Sequence, residues 1–142
     1  MSPTAEEISG AARAWLGTPY RHQASTLGAG CDCLGLVRGV WRALYAEEPA
    51  PLPHYSADWR RAPASGLAEV AEAVLRRAEG EPEAGQLVLF RLGRTPVPRH
   101  CGIMVGDDRF IHAQEGLGVV EANLGESWRK RVAGTFVFPA RG

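Results

Sequence analysis

The sequence has few of the features that would place it in a specialised class of protein. It holds only three cysteines in 142 residues, and an odd number with Cys31 and Cys33 two positions apart does not fit a disulfide-stapled secreted domain. Its 16 basic and 16 acidic side chains give no net charge. Without a basic surface, we expect neither nucleic acid nor an anionic membrane as a partner.

Long apolar runs are missing as well. The first residues, MSPTAEEISGAARAWLG, have no basic start followed by an apolar stretch, so we expect synthesis in the cytoplasm without a signal peptide. No segment approaches the length of a membrane span, which predicts no membrane insertion. Repeats and low-complexity stretches are also absent, and 45% hydrophobic content over 142 residues predicts one domain, 1–142.

Helical patterns fill the first half of the chain. Thr4 and Glu7 form a capping-box pattern in front of apolar residues at helical spacing. Asp32 is a suitable N-cap for a second helix, whose apolar stripe begins at Cys33. Gly35 and Gly39 in that helix would allow close packing. A third helix is expected over 65–78.

Short β-rich runs fill the second half. Runs separated by Gly, Asp and Pro predict an antiparallel sheet of about five strands: GQLVLFRL, HCGIMVG, RFIHA, GVVEAN and GTFVFP. Residues 21–30 are expected to be loop, and the proline-rich residues 47–59 to be a connector. Helices followed by strands indicate an α+β protein, with N-terminal helices packed on the sheet.

The predicted position of Cys33 suits a reactive thiol. In the first turn of a helix, the macrodipole and unpaired N–H groups favour the thiolate, and a nearby histidine can act as its base. His100 and His112 flank the turn pattern GDD at 106–108, which predicts a hairpin. A three-residue loop centred on Gly106 would place the two histidines directly opposite each other on one face.

These three residues would supply a nucleophile, a base and an orienting group, which is the logic of the papain-like peptidase triad, in which the third residue orients the base. We assign Cys33 as nucleophile, His100 as base and His112 as the orienting residue. His100 is preferred as base because it begins its strand, near the sheet edge where a helix N-terminus can abut. The residues alone leave the order of the two histidines open.

Two other interpretations use the same cysteines. Cys33 can be a buried structural thiol, since free cysteine is among the most buried residue types. A zinc site could combine the three cysteines with His100. Because His100 and Cys101 are neighbours on a strand, their side chains point to opposite faces. We therefore predict no metal or other cofactor, and expect Cys101 in the core; the role of Cys31 stays open.

Five motifs carry a family resemblance. In order and at these intervals, from Gly17 to about Ala113, the chain resembles the NlpC-type cell-wall cysteine peptidases, a papain-like family: GTPYRHQ, DCLGLVRGVW, GQLVLFR, HCGIMVG and RFIHA. The resemblance implies a papain-like NlpC-type fold. It also implies the same roles for Cys33, His100 and His112 that the residues themselves suggest.

The resemblance extends to substrate-binding positions. It implies that Tyr20 helps form the oxyanion site with backbone N–H groups, and that Asp32 meets the free amine of a short peptide. Two positions depart from the family pattern: Leu34 replaces a common Ser, and the residues from His22 replace Trp-Gly-Gly. Both departures border the expected substrate groove, so peptide specificity does not carry over with the fold.

The resemblance implies a cysteine peptidase that hydrolyses peptidoglycan stem peptides through a thioester, usually at a γ-D-glutamyl-diamino acid bond. CDCLGLVRGVW and PLPHYSADW also resemble a subgroup encoded with phage tails and gene transfer particles, which implies phage-like tail proteins as partners. Such a tail would carry the enzyme to the periplasm and cell wall. Two alternatives remain: a papain-like acyltransferase, and a non-catalytic tail component that binds the wall.

Overall fold

The computed structural model describes residues 1–48, 67–94 and 96–141. Only residues 47 and 48 of the predicted connector at 47–59 belong to these ranges. The first two positions of the predicted third helix, 65 and 66, lie outside the described residues. Within the described residues, no helix is both long and apolar enough to cross a membrane.

The first two helices begin at the predicted capping residues. Helix α1 spans Ala5–Arg13; the N–H of Glu7 donates to Thr4 Oγ1 and the N–H of Thr4 donates to Glu7 Oε1, both at 3.0 Å. Helix α2 spans Cys33–Tyr45 and has Asp32 as its N-cap. Both capping predictions are confirmed.

Glycines bring other parts of the chain against α2. A Cβ built on Gly39 would lie 2.0 Å from the Trp15 ring, and one on Gly35 would lie 1.8 Å from the Ala24 carbonyl oxygen. Only glycine leaves room for these contacts. The predicted close packing is therefore confirmed, and it fixes the start of α2 against the preceding loop.

The predicted third helix is shorter than expected. Helix α3 spans Leu67–Val74, and Arg76–Ala78 forms a strand, β3, that pairs with the last strand of the chain. The helical prediction is therefore wrong for the last residues of 65–78. Arg77 lies 5.0 Å over the Phe136 ring and donates to Glu72 at 2.7 Å, so strand pairing gives its side chain two partners.

The five predicted strands are all present in one antiparallel sheet of six, in the order β3-β8-β4-β5-β6-β7. Their bounds are β4 Gln86–Arg91, β5 Pro98–Gly106, β6 Arg109–Gln114, β7 Gly118–Asn123 and β8 Val132–Val137. The expected loop at 21–30 contains a two-stranded ribbon, β1 Ser25–Thr26 with β2 Gly30–Cys31. A short helix, α4 Glu126–Arg129, was not predicted.

The sheet has two different buried faces because side chains alternate along each strand. The helix face packs with α1, α2 and α3 in one apolar cluster and includes Leu87, Leu89, Cys101, Ile103 and Ile111. The aromatic face carries a second apolar cluster, with Trp128 packed against it, and includes Val88, Phe90, Met104 and Phe110. Strand β5 contributes to both, so it connects the helical core with the aromatic side of the sheet.

Candidate active site

The start of α2 holds Cys33 in a fixed position. Cys33 is the first residue of the helix and is 2% exposed. Asp32 Oδ1 accepts the N–H of Gly35 at 2.7 Å, and Oδ2 accepts the N–H of Gln23, also at 2.7 Å. The carboxylate of Asp32, 0% exposed, thus ties the loop to the helix, while Nδ1 of His22 lies 3.8 Å from Oδ2.

The hairpin that carries the histidines has a different register from the predicted one. Ile103 pairs with Ile111 and Met104 with Phe110, so His100 is not directly opposite His112. The strands end at Gly106 and Arg109, and the pairing shifts between Met104 and Gly106. A two-residue turn thus replaces the expected three-residue loop. Because the offset is two positions, the histidines still share a face.

Gly102 makes contact possible between the diagonal pair. A Cβ built there would lie 3.3 Å from the His112 Cβ and 2.9 Å from Cδ2 of Phe110. With no side chain in between, Nε2 of His100 lies 2.7 Å from Nδ1 of His112. Because this hydrogen bond uses Nε2 of His100, Nδ1 is the nitrogen of that ring that remains available to exchange a proton with Cys33.

Contacts with β5 make the Cys33 thiol unusually acidic. A hydrogen bond with Cys101, followed by a hydrogen bond with His100 and its charge, lowers the pKa of Cys33 to about 6 against the opposing effect of burial. Cys31 behaves in the opposite way: burial, with the negative charges of Asp32 and Cys33, raises the pKa of Cys31 to about 12. Of these neighbouring thiols, only Cys33 is set to react as a thiolate.

His112 is set to remain neutral. Burial, and secondly the charge of His100, lowers the pKa of His112 to about 3. A neutral His112 can accept a hydrogen bond at Nδ1 from a protonated His100. The structure therefore brings His100 and His112 into contact, and His100 lowers the pKa of the Cys33 thiol.

Aromatic rings enclose the histidine pair. The Trp128 ring centroid lies 6.0 Å from that of His100 and 5.3 Å from that of His112. Phe90 stacks on His100 at 6.0 Å, and Phe110 lies 4.7 Å from His112. The His100 and His112 side chains are 6% and 1% exposed, which limits the access of water to their hydrogen bond.

The other predicted site residues lie around the start of α2. Tyr20 is half-buried, and its backbone forms a parallel bridge with Cys31, two positions before Cys33. Leu34 is buried and lines an apolar cavity between α2 and α3. Asp32 has the capping contacts described above. The roles of these three residues in substrate binding stay predictions.

Sequence reasoning missed three contributors to the site. Cys101 lies in the core as expected, and it also lowers the pKa of Cys33. Gly102 could have been recognised, since alternation places it between the histidines once the register is known. Trp128 gave no signal, because its position depends on the packing of α4 against the sheet. Across the three described ranges, no group of three or more His, Cys, Asp or Glu could hold a metal ion.

Residues 17–137 match the NlpC/P60 family, a span that includes every predicted site residue. A protein of Escherichia coli K12 named murein DD-endopeptidase MepS/murein LD-carboxypeptidase is 35% identical over 118 residues, which cover 82% of this chain and 54% of that protein. The chain therefore spans about half the length of this curated relative.

Solved structures show the same architecture. The crystal structure of the NlpC/p60 domain of peptidoglycan hydrolase SagA has a TM-score of 0.66 at 21% identity, covering 96% of this chain and 100% of that one. The structure of NlpC2 from Trichomonas vaginalis has a TM-score of 0.69 at 20% identity, and the match covers 94% of this chain and 46% of that one. At these identities the likeness concerns the fold, and it confirms the predicted α+β NlpC-type architecture.

Proposed function

The chain belongs to the NlpC/P60 family, and we propose that it is a cysteine peptidase of peptidoglycan stem peptides with Cys33 as nucleophile. The observation that carries the proposal is the pair of imidazoles, with 2.7 Å between Nε2 of His100 and Nδ1 of His112, of which His100 lowers the pKa of the Cys33 thiol. The names of the E. coli and SagA relatives, which mention murein and peptidoglycan, support the choice of substrate.

The first chemical step is attack on the scissile carbonyl. The Cys33 thiolate forms a bond to the carbonyl carbon, whose π electrons move to oxygen. As the tetrahedral intermediate collapses, the C–N bond breaks and His100 gives its Nδ1 proton to the leaving amine. The result is a thioester on Cys33 and a neutral His100, which still donates Nε2–H to His112.

Hydrolysis of the thioester reverses these roles. His100 takes a proton from water at Nδ1, the resulting hydroxide equivalent adds to the thioester carbonyl, and the Cys33 thiolate leaves. Backbone N–H groups at the start of α2, together with Tyr20, are proposed to stabilise the oxyanion in both steps. Donors of this kind are commonly worth about 3 kcal/mol each.

We propose the γ-D-glutamyl-diamino acid bond as the one that is cleaved, on the basis of the motif resemblance. The test is digestion of purified sacculi, with products identified by mass spectrometry against Cys33→Ser protein. New stem-peptide fragments that the variant does not form are expected. Equal digestion by Cys33→Ser would contradict the assignment of the nucleophile. A different cleavage position would retain the mechanism and correct the bond.

The same digestion separates the two alternative functions. Adding an amine or alcohol acceptor would give an amide or ester product if the protein is an acyltransferase. Binding of muropeptides without turnover by protein with Cys33 intact would instead indicate a wall-binding component. Only free-acid fragments are expected.

A phage-like tail is proposed as the carrier of this domain to the periplasm and cell wall. Support comes from the resemblance of CDCLGLVRGVW and PLPHYSADW to the tail-associated subgroup. Mass spectrometry of purified particles from the source cells is expected to detect this chain in the tail fraction. Its recovery only from particle-free cell extract would contradict the proposal.

A further inference from the structure

Trp128 has no chemical role in the reaction proposed above, yet its ring lies against both imidazoles of the site. We propose that Trp128 is a positioning residue that holds these two imidazoles in hydrogen-bonding contact. That contact leaves Nδ1 of His100 available to Cys33, so the inference rests on the proposed roles of those two residues. It gives a task in catalysis to α4, a helix of four residues on the aromatic face of the sheet.

The half-buried ring of Trp128 bridges the two histidines. Its centroid lies 6.0 Å from that of His100 and 5.3 Å from that of His112, which it meets edge to face. Phe90 contacts His100 and lies 4.7 Å from the Trp128 ring. Phe110 contacts His112 and lies 5.2 Å from the same ring. Each phenylalanine therefore supports one imidazole, and Trp128 supports both.

A packed ring matters here because an imidazole has more than one orientation. The last torsion of a histidine is broad and roughly two-fold, so a half turn about the Cβ–Cγ bond puts carbon where nitrogen was. After such a turn His100 loses the 2.7 Å contact between its Nε2 and Nδ1 of His112. The same turn replaces Nδ1 of His100 by a carbon. Close packing opposes the turn, because the surrounding rings would have to move apart first.

The attachment of α4 at both ends fixes the place of Trp128. A helix of four residues is too short to be stable alone. Before it, the N–H of Leu124 donates to the Asp108 carbonyl oxygen at 2.6 Å, and the Leu124 side chain is buried in the aromatic-face cluster. After it, Nη2 of Arg91 on β4 donates to the Lys130 carbonyl oxygen at 2.9 Å. These bonds hold the helix against the sheet beside the histidines.

The first measurement needs no substrate and uses protein labelled with ¹⁵N in its histidine rings. At pH 7 the wild type should show a ring N–H signal from the hydrogen bond between His100 and His112, because a covered N–H exchanges slowly with water. Its absence in His112→Ala assigns it. We expect the signal to be lost in Trp128→Ala and retained in Trp128→Phe, which keeps a ring at that position.

The second measurement is the hydrolysis of soluble muropeptides. Trp128→Ala should lower kcat by up to about a hundredfold, which is the cost of misplacing a catalytic group. KM should stay unchanged, because the ring is proposed to act through His100 and not on the substrate. Trp128→Phe should recover most of the rate. Arg91→Met releases one end of α4 and keeps the ring, so it should give a smaller loss of kcat.

Leu124→Ala is the control for packing. It removes a buried side chain of the same apolar cluster and removes no ring, so it should lower the melting temperature and leave the N–H signal and kcat unchanged. If Trp128→Ala does not fold, Trp128→Leu replaces it. An unchanged signal or an unchanged kcat in the folded Ala or Leu variant would overturn the proposal. Equal losses in Leu124→Ala would overturn it as well.

The two measurements separate this inference from the proposed function. If the wild type cleaves no muropeptide, the proposed peptidase function fails, and the ring N–H signal still decides whether Trp128 holds the histidines together. If the wild type cleaves muropeptides but shows no protected ring N–H, the role of Trp128 is overturned and the proposed function stands.

Discussion

The helix face and the aromatic face of β5 prepare the same sulfur atom in different ways. On the helix face, Cys101 lies in an apolar cluster and contributes a thiol. On the aromatic face, His100 and His112 contribute imidazoles enclosed by Trp128, Phe90 and Phe110. The comparison teaches that two consecutive residues of one strand, although they lie on opposite faces, can both lower the pKa of the same thiol.

The largest effect is expected from removing the imidazole on the aromatic face. His100→Gln deletes the proposed base, which is also one of the two groups that lower the pKa of Cys33, so peptide hydrolysis should fall by about 10²- to 10⁴-fold. Alkylation of Cys33 at pH 7 should slow as well. A digestion assay measures the loss of hydrolysis, and the alkylation rate of Cys33 measures the second effect. A melting curve checks that the variant folds. Undiminished hydrolysis by folded His100→Gln protein would refute the assignment of the base.

A smaller loss is expected from filling the gap between the histidines. In Gly102→Ala, the new methyl group would lie 3.3 Å from the His112 Cβ and 3.0 Å from the Ile111 carbonyl oxygen, so His112 must shift. We expect stability to fall by about 1–3 kcal/mol and activity to fall with it. Gly106→Ala is the matched control, because a Cβ there would lie 3.9 Å from the Arg109 Cβ, which is an ordinary van der Waals contact. Equal behaviour of the two variants would argue against close contact at Gly102.

The pH dependence of stability tests whether the aromatic face keeps His112 neutral. The pKa of His112 is lowered from 6.5 to about 3, so between these values the unfolded chain binds a proton that the folded protein does not. Stability is therefore lost as pH falls below 6.5, by up to about 1.4 kcal/mol per pH unit from this group.

His112→Asn should lack that contribution and still offer His100 an acceptor oxygen. Urea unfolding of both proteins at pH 7 and pH 5 gives the comparison. The wild type is expected to lose more stability than the variant between the two values. If both proteins lose the same amount, His112 is not buried in a neutral form.

The smallest effect is expected on the helix face away from the sulfur. Ile103 is 0% exposed, and Ile103→Val should lower the free energy of unfolding by about 1 kcal/mol. Its hydrolysis rate should equal that of the wild type, because the change removes one methyl group from the core and leaves in place Cys101 and His100, which lower the pKa of Cys33. Denaturant unfolding and a digestion assay test this. A marked loss of activity would mean that apolar packing on this face also sets the position of Cys33.

Local chemistry was enough to predict the elements that carry the site. Asp32 as a cap placed Cys33 in the first turn of α2, and the β-rich runs placed both histidines on strands. Register was harder, because it depends on the number of residues in one turn and on a bulge near Gly106. The observed register differs from the predicted one by two positions, and because side chains alternate along a strand, the two histidines nevertheless lie on one face.

Features that depend on distant packing were not predictable in the same way. Arg76–Ala78 continues a pattern that would suit a helix, and pairing with β8 draws it into the sheet instead. The effect of Cys101 on the pKa of Cys33 depends on how α2 docks against β5. Trp128 reaches the histidines only because α4 packs on the aromatic face. None of these contacts follows from residues close together in sequence.

Strand β3 has a consequence for solubility. Among the described strands it is the outermost on the β8 side, and it is three residues long with Arg76 and Arg77 exposed. An uncovered edge presents unpaired backbone groups that can recruit a strand from another molecule. A short edge offers a second copy few backbone groups to pair with, and the exposed Arg76 adds a charge to it, so β3 protects the longer β8 from intermolecular strand pairing.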